Sequence, residues 1–284
     1  MSAESSKAVV ITGASSGIGR ACAERLAREG FRIFGTHLPQ EGATALEGMN
    51  AIVPIQLDVT DSDSIARAVE RVSAECESGL WGLVNNAGVD IPGPLEFLPL
   101  ERLRDQLEVN VIGQIAVTQA FLPLIRKGRG RIVMIGSIDG KAVTPFQGGY
   151  GASKHAIEAL ADALRLELSA WSIPVSLVEP GDIATPIWEK SLALADRMLS
   201  ELPEKAHDLY GTQMTAARAT AVKMASKAAP PETVVRAVYH ALTARRPKTR
   251  YLVGTDARIR LALEILPSRW VDRLIMGFIA RGGK

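Results

Sequence analysis

Short apolar runs alternate with longer stretches of helical spacing along the first 180 or so residues. Residues 8–12 form a β-branched run bounded by glycine, and 32–36, 52–57, 83–85, 131–135 and 175–178 are similar apolar runs. Residues 18–29 place Ile18, Cys22, Leu26 and Ala27 on one side and Arg20, Glu24, Arg25 and Arg28 elsewhere. That is the periodicity of an amphipathic helix, and Gly30 closes it. The same spacing predicts helices over 61–74, opened by an Asp or Ser cap, and over 101–125 and 147–170. Strands without polar alternation, each followed by a helix, are buried on both faces. The pattern therefore predicts an α/β fold, a doubly wound parallel sheet of the Rossmann type with right-handed connections and helices on both faces. Beyond Gly181 the pattern loosens through 182–215, before a helix at 231–244 and a short strand at 251–253. With no internal repeat or low-complexity linker, one domain over 1–284 is expected. It carries a substrate-loop insertion at about 182–230 and a small C-terminal helical lid or tail at about 257–284.

Composition narrows the function. A chain of 284 residues with 47% hydrophobic content suits one large α/β domain and is too apolar for disorder. A net charge of +2 leaves no electrostatic footprint for nucleic acid. Cys22 and Cys76 lie far apart in helix-like segments and are expected as free thiols of a reducing cytosol. A polar start that runs straight into a strand argues against a secretory signal. The absence of 18 consecutive apolar residues argues against a membrane-spanning helix. His37, His155, His207 and His240 are scattered without metal-ligand spacing, so no metal site is expected. A cytoplasmic enzyme acting on a small molecule is the expectation.

Two local patterns carry chemistry. Between the first strand and first helix lie Gly13, Ala14, Ser15, Ser16, Gly17, Ile18 and Gly19. A glycine-rich turn that opens a helix lets backbone approach a pyrophosphate and offers it free N–H groups. Tyr150 and Lys154 are four residues apart in a helical stretch, so they share a face. A phenol titrates near 10, too high for a base at neutral pH, and a nearby ammonium would lower it. Taken alone, such a pair is usually a solvated helix face. Three further groups, however, fall at strand ends of the same sheet edge: Ser137 after the fifth strand, Asn85-Asn86-Ala87-Gly88 after the fourth, and Pro180-Gly181 after the sixth. Asn110, a poor helix former inside a predicted helix, also wants a reason.

On these residues the chain resembles the short-chain dehydrogenase/reductase superfamily over residues 7–185. The resemblance implies that Tyr150 is the acid/base and that Ser137 hydrogen-bonds the substrate oxygen. Lys154 would lower the tyrosine pKa and hold the nicotinamide ribose, and Asn110 would support a water leading to Lys154. It places Asn86, Ala87 and Gly88 on the adenosine side, Asp58 (with Val59 beside it) at the adenine, and Pro180, Gly181, Ile183 and Thr185 at the nicotinamide carboxamide and phosphates. Residues 79–86 and 245–251 look more narrowly like the retinol and 17β-hydroxysteroid dehydrogenase branches. Asp139 departs from them, since an apolar or small residue is usual two places after the serine.

At the end of the second strand stand His37 and Leu38, with no arginine for a 2′-phosphate and no acid for a ribose hydroxyl; NAD is therefore expected over NADP. Apolar residues after the sixth strand, Trp188 among them, suggest either a core helix or a mobile lid. Val143, Phe146 and Gln147 would form the opposite wall, with Asp139 at the mouth. Arginines mixed with Trp270, Leu274 and Phe278 in the tail suit closing the pocket or resting on a membrane surface. The apolar faces of 101–125 and 147–170 imply a homodimer or homotetramer. The functional expectation is hydride transfer between a nicotinamide cofactor and a lipophilic secondary alcohol or ketone. The alternatives are a dehydrogenase of small hydroxy acids, or a nucleotide-sensing or scaffold protein, which would tend to lose the catalytic set. A lipid-binding protein would rest on the tail alone, and sugar epimerases carry a different glycine spacing.

Overall fold

The computed structural model describes residues 7–41, 46 and 51–282. Its strands are β1 (Ala8–Ile11), β2 (Arg32–His37), β3 (Ile52–Gln56), β4 (Gly82–Asn85), β5 (Arg131–Ile135), β6 (Val175–Pro180) and β7 (Arg250–Val253). They form one seven-stranded sheet in the order β3-β2-β1-β4-β5-β6-β7. Every pairing is parallel. The chain starts in the middle, winds out to β3, returns to lay β4 beside β1, and winds out the other way. At that reversal the carboxyl ends of β1 and β4 open a crevice, the place where such sheets bind ligands.

Neighbouring residues on each strand face opposite cores. Val9, Ile33 and Val133 pack under α1 (Gly17–Arg28) and α8 (Glu232–Thr243), which contribute Cys22, Leu26, Val238 and Leu242. Val10, Leu83 and Met134 pack under α2 (Ser62–Glu75), α4 (Gln114–Gly128) and α5 (Gly148–Glu167), through Val72, Phe121, Ile125 and Ile157. The two cysteines are therefore free and buried in different cores. Asp61 caps α2, its carboxylate accepting the N–H groups of Asp63 at 2.9 Å and Ser64 at 3.2 Å.

One expectation needs correction, and one is sharpened. The single helix over 101–125 is instead α3 (Leu100–Leu107), a π-helical turn over Glu108–Gly113, and then α4. This stretch, Leu100–Gly128, is long and apolar enough by composition to cross a membrane, but Val117, Phe121 and Ile125 are wholly buried in the domain core. The loosened region after β6 is also helical, as α6 (Ile187–Glu201) and α7 (Glu204–Lys227). In α7 only Ala206, Met214 and Thr220 are buried, so its apolar stripe is too thin to read as a helix of 24 residues. After β7 the tail folds as α9 (Thr255–Leu263) and α10 (Ser268–Ala280).

Candidate active site

The turn from β1 into α1 is built around an anion-sized cradle. Gly13 and Gly17 have φ of +64° and +56°, which side chains with a Cβ rarely adopt. A Cβ on Gly13 would also come within 3.1 Å of the Ala87 backbone. Ser16 makes no side-chain cap bond and the first turn of α1 holds no acidic residue, so the helix start is left to attract a phosphate. These residues fit a dinucleotide. Gly13, Ser15, Ser16, Gly17 and Ile18 line the cavity, and His37, Leu38, Asp58, Val59, Asn86, Ala87 and Gly88 continue its wall. Gly19 does not line it. Its Cα faces the Gly13 carbonyl and the Asn86 amide too closely for any Cβ, so it packs helix against loop.

Thr12, which the sequence reading passed over, fixes the exit of β4. Its hydroxyl oxygen accepts the N–H groups of Asn86 (2.8 Å) and Ala87 (2.9 Å). Asn86 Nδ2 in turn donates to the carbonyls of Thr12 (2.9 Å) and Gly13 (3.1 Å).

From there the chain runs along a stripe of buried polar side chains spaced four apart. Thr118 Oγ1 accepts from Asn85 Nδ2 at 2.7 Å, and Gln114 Nε2 donates to the Ala87 carbonyl at 3.2 Å. The Asn110 amide takes both backbone groups of Val89 at 2.8 Å, and Gln106 Oε1 accepts the Ile91 N–H at 2.5 Å. In an unbroken α-helix a four-residue spacing drifts by about 40° per step; the wider π turn takes back part of that drift. This is the reason for Asn110. It lies outside the cavity lining and also donates to Ser153 Oγ at 3.0 Å, while Ser153 donates to the Tyr150 carbonyl at 2.7 Å. Asn110 thus ties the loop after β4 to the helix that carries Tyr150. Of the stripe, only Asn110 was singled out from sequence; the four-residue recurrence was the available signal.

Ser137, Tyr150 and Lys154 meet at the end of β5. The Ser137 hydroxyl donates to Asp139 Oδ2 at 3.3 Å, accepts the Asp139 N–H at 3.1 Å, and stands close enough to Tyr150 to pull its pKa down. Lys154 Nζ donates to the Ile135 carbonyl at 3.0 Å and stands 5.5 Å from the Tyr150 ring centre. Burial lowers the lysine to about 8, against the pull of Asp139 and Asp90. The tyrosine moves opposite to expectation. Burial first, then Asp139 and Asp90, raise it well above its ordinary value, and Ser137 and Arg260 offset only part.

Arg260, from α9, donates to the Asp139 carboxylate and the Ala142 carbonyl, drawing the tail onto the active-site loop. Asp256 on the same helix accepts the Asp182 N–H at 2.6 Å, behind Pro180, Gly181, Ile183 and Thr185, which all face the cavity.

Among the residues assigned to substrate, Asp139, Phe146, Gln147 and Trp188 line the cavity with Ser137 and Tyr150. Phe146 holds φ of +68°, a strained conformation for a large side chain, and its carbonyl accepts the Gly93 N–H at 2.8 Å. Trp188 Nε1 donates to the Ile183 carbonyl at 2.9 Å. Val143 is a correction: it packs on Gly151 at the surface, outside the cavity, and its neighbour Ala142 takes the wall position. Asp90, unassigned from sequence, lies in the wall beside Gln147.

A family model described as short chain dehydrogenase matches residues 7–196. Retinol dehydrogenase 16 of Mus musculus is 36% identical over 278 residues, spanning 95% of this chain and 87% of its own length. The 17-beta-hydroxysteroid dehydrogenase type 6 of Bos taurus is 38% identical over 279 residues, with the same 95% and 87%. The mitochondrial D-beta-hydroxybutyrate dehydrogenase of Bos taurus is 38% identical over 262 residues, 87% of this chain and 76% of its own. A crystal structure of a short-chain dehydrogenase from Streptomyces avermitilis superposes with a TM-score of 0.78 at 28% identity, over 99% of this chain and 100% of that one. The family model takes in residues 7–196 and the relatives and the fold extend the match along nearly the whole sequence: the chain belongs to the short-chain dehydrogenase family of nicotinamide-dependent oxidoreductases.

Proposed function

We propose that this oxidoreductase moves a hydride between NAD(H) and a secondary alcohol or ketone on a bulky lipophilic body, of the steroid, retinoid or long-chain alcohol type. The observation that carries the reading is one cavity of about 1180 Å³, which runs from the glycine loop past Tyr150 to the tail helices. Beyond Tyr150 its walls are Phe97, Leu98, Leu194, Met198, Leu263 and Phe278, an apolar lining suited to a large hydrocarbon. The nicotinamide, when bound, supplies or accepts the hydride. Ser137 and Tyr150 would hold the reacting oxygen, the Tyr150 hydroxyl would give that oxygen its proton on reduction and take it back on oxidation, and Lys154 would hold the ribose. The presence of this whole set favours turnover over a scaffold role. Two relatives named for retinol and for a hydroxysteroid support the substrate class.

NAD(H) is favoured because the cavity wall around His37, Leu38 and Asp58 offers no lysine or arginine among the described residues. Initial rates with both cofactors against secondary alcohols, steroids, retinoids and small hydroxy acids test the whole reading. Small hydroxy acids exceeding every bulky alcohol in kcat/KM would overturn the substrate class, and a tenfold preference for NADP(H) the cofactor assignment.

The tail offers a route for such substrates. Ile265 and Trp270 are 86% and 61% exposed beside Arg258, Arg269 and Arg273, and Leu274 and Phe278 are shared between surface and cavity. This mixture suits peripheral contact with an anionic membrane. Co-sedimentation with phosphatidylserine vesicles, lost in Trp270→Glu, is the expected result; equal binding to both proteins would refute the contact.

A further inference from the structure

Asp90 follows the stripe-bound segment that leaves β4, with Val89 and Ile91 held by Asn110 and Gln106 on either side. Its Oδ2 accepts from Ser191 Oγ of α6 at 2.7 Å and from Gln147 Nε2 at 3.3 Å. Its Oδ1 is buried with no partner among the described residues, and so is Gln147 Oε1. Two adjoining side chains in the cavity wall therefore each present a buried acceptor without a partner, an arrangement that a donor on a ligand would relieve.

Charge points the same way. Asp139 is ion-paired with Arg260, whereas Asp90 makes no ion pair with any described residue. Burial pushes Asp90 up to about 6, which still leaves it largely ionised at neutral pH. Both carboxylates act on Tyr150, so both stand close to the reacting centre. A second anion entering this low-dielectric space would be repelled, and a cation or hydroxyl drawn in.

We infer that Asp90, with Gln147, is a specificity-determining acceptor site that recognises a donor on the substrate, a hydroxyl or a protonated amine, and excludes substrates bearing a carboxylate. The inference rests on the reading of the cavity as the site of a bulky alcohol or ketone, and it names the second polar group such a substrate carries. It also separates this chain from a hydroxy-acid enzyme, whatever its likeness to the hydroxybutyrate relative.

The test uses four ligands on one hydrocarbon skeleton with the same secondary alcohol. The remote end carries hydrogen, a hydroxyl, a primary amine or a carboxylate. Dissociation constants are measured by calorimetry with NAD present, for wild type and Asp90→Asn, and kcat/KM is measured alongside. Wild type is expected to bind the hydroxyl or the amine ligand at least tenfold more tightly than the carboxylate. Asp90→Asn, which removes charge but keeps an acceptor, should abolish most of any preference for the amine, retain part of one for the hydroxyl, and admit the carboxylate. Equal binding of all four by wild type would overturn the inference. So would an unchanged ranking in Asp90→Asn, even with a lowered melting temperature, because that is the mark of a side chain that only staples α6 through Ser191. Turnover keeps the two readings apart. If wild type turns over the bulky alcohols but ranks them alike, the acceptor site fails and the substrate class stands. If it binds them selectively without turnover, the acceptor site stands and the reaction assignment fails.

Discussion

Tyr150 shares its surroundings with two carboxylates, one guanidinium and a serine hydroxyl, and the balance keeps its proton on. A protonated phenol is ready to give that proton to a carbonyl oxygen, so reduction should be insensitive to pH across the neutral range. Oxidation needs the phenolate, and its kcat/KM should climb as pH rises toward the elevated tyrosine pKa. Asp139 raises that pKa by repulsion. Asp139→Asn removes the repulsion and leaves Arg260 uncompensated, and both effects favour the phenolate. The oxidation profile should therefore move to lower pH; an unmoved or alkaline-shifted profile would contradict the electrostatic account. Tyr150→Phe should lower turnover by about 10²–10⁴-fold, the usual worth of a positioned acid/base, while cofactor binding, read by fluorescence titration, is retained. Wild-type rates in that variant would remove Tyr150 from the chemistry.

Helix α5 carries Tyr150 and Lys154, and its placement depends on charges one and two turns further along it, at Glu158 and Asp162. Arg250 of β7 donates to Glu158 and, at 2.7 Å, to Asp162 on that helix, and at 3.4 Å to Glu179 of β6. Lys141 joins the cluster at Glu158. Burial and the neighbouring Glu158 push Glu179 up to about 7. Arg250→Met would leave two buried carboxylates facing each other. The expected cost is about 3 kcal/mol, the low end for a broken buried pair, because a third of the arginine side chain (33%) reaches solvent. Denaturant unfolding at neutral pH measures it, and part of the loss should be recovered in acid, where Glu179 takes up a proton. Helix α6 lies across the cavity, with Met198 packed beside Ile91 and Leu98 and Trp188 facing the substrate space. Trp188→Ala should raise KM for bulky alcohols with little change in melting temperature. A large loss of stability with unchanged KM would make Trp188 a core residue instead.

At the scale of the molecule, apolar side chains remain on the surface along the helices flanking the site. Ile112, Leu166 and Trp171 are 54%, 64% and 54% exposed, and the first two belong to the π turn and α5. An isologous pairing of these helices across a two-fold axis would cover them, giving a dimer or a tetramer. Light scattering at micromolar concentration should then report a multiple of 30.4 kDa. A particle of that single mass would leave the exposed residues as ordinary surface.

Local spacing was enough to read the alternation of buried strands and helices, the glycine cradle, and the Tyr150–Lys154 pair on one helix face. Those features depend on neighbours within a turn or two, or on a strand's own polarity, and so they are written into consecutive residues. Ser137 and residues 85–88 were legible for a related reason: a doubly wound sheet gathers its strand ends at one edge whatever the loops do. The tertiary structure decided the rest. Ser191 reaches Asp90 across 101 residues and Arg260 reaches Asp139 across 121, contacts that exist only because α6 and the tail fold back over the crevice. The π turn depends on matching a polar stripe to the segment leaving β4, Val143 yields its wall position to Ala142 by the path of one loop, and burial reverses the direction of the Tyr150 pKa. Each of these is set by what surrounds a residue in space, and desolvation and long-range pairing leave no periodic trace along the chain.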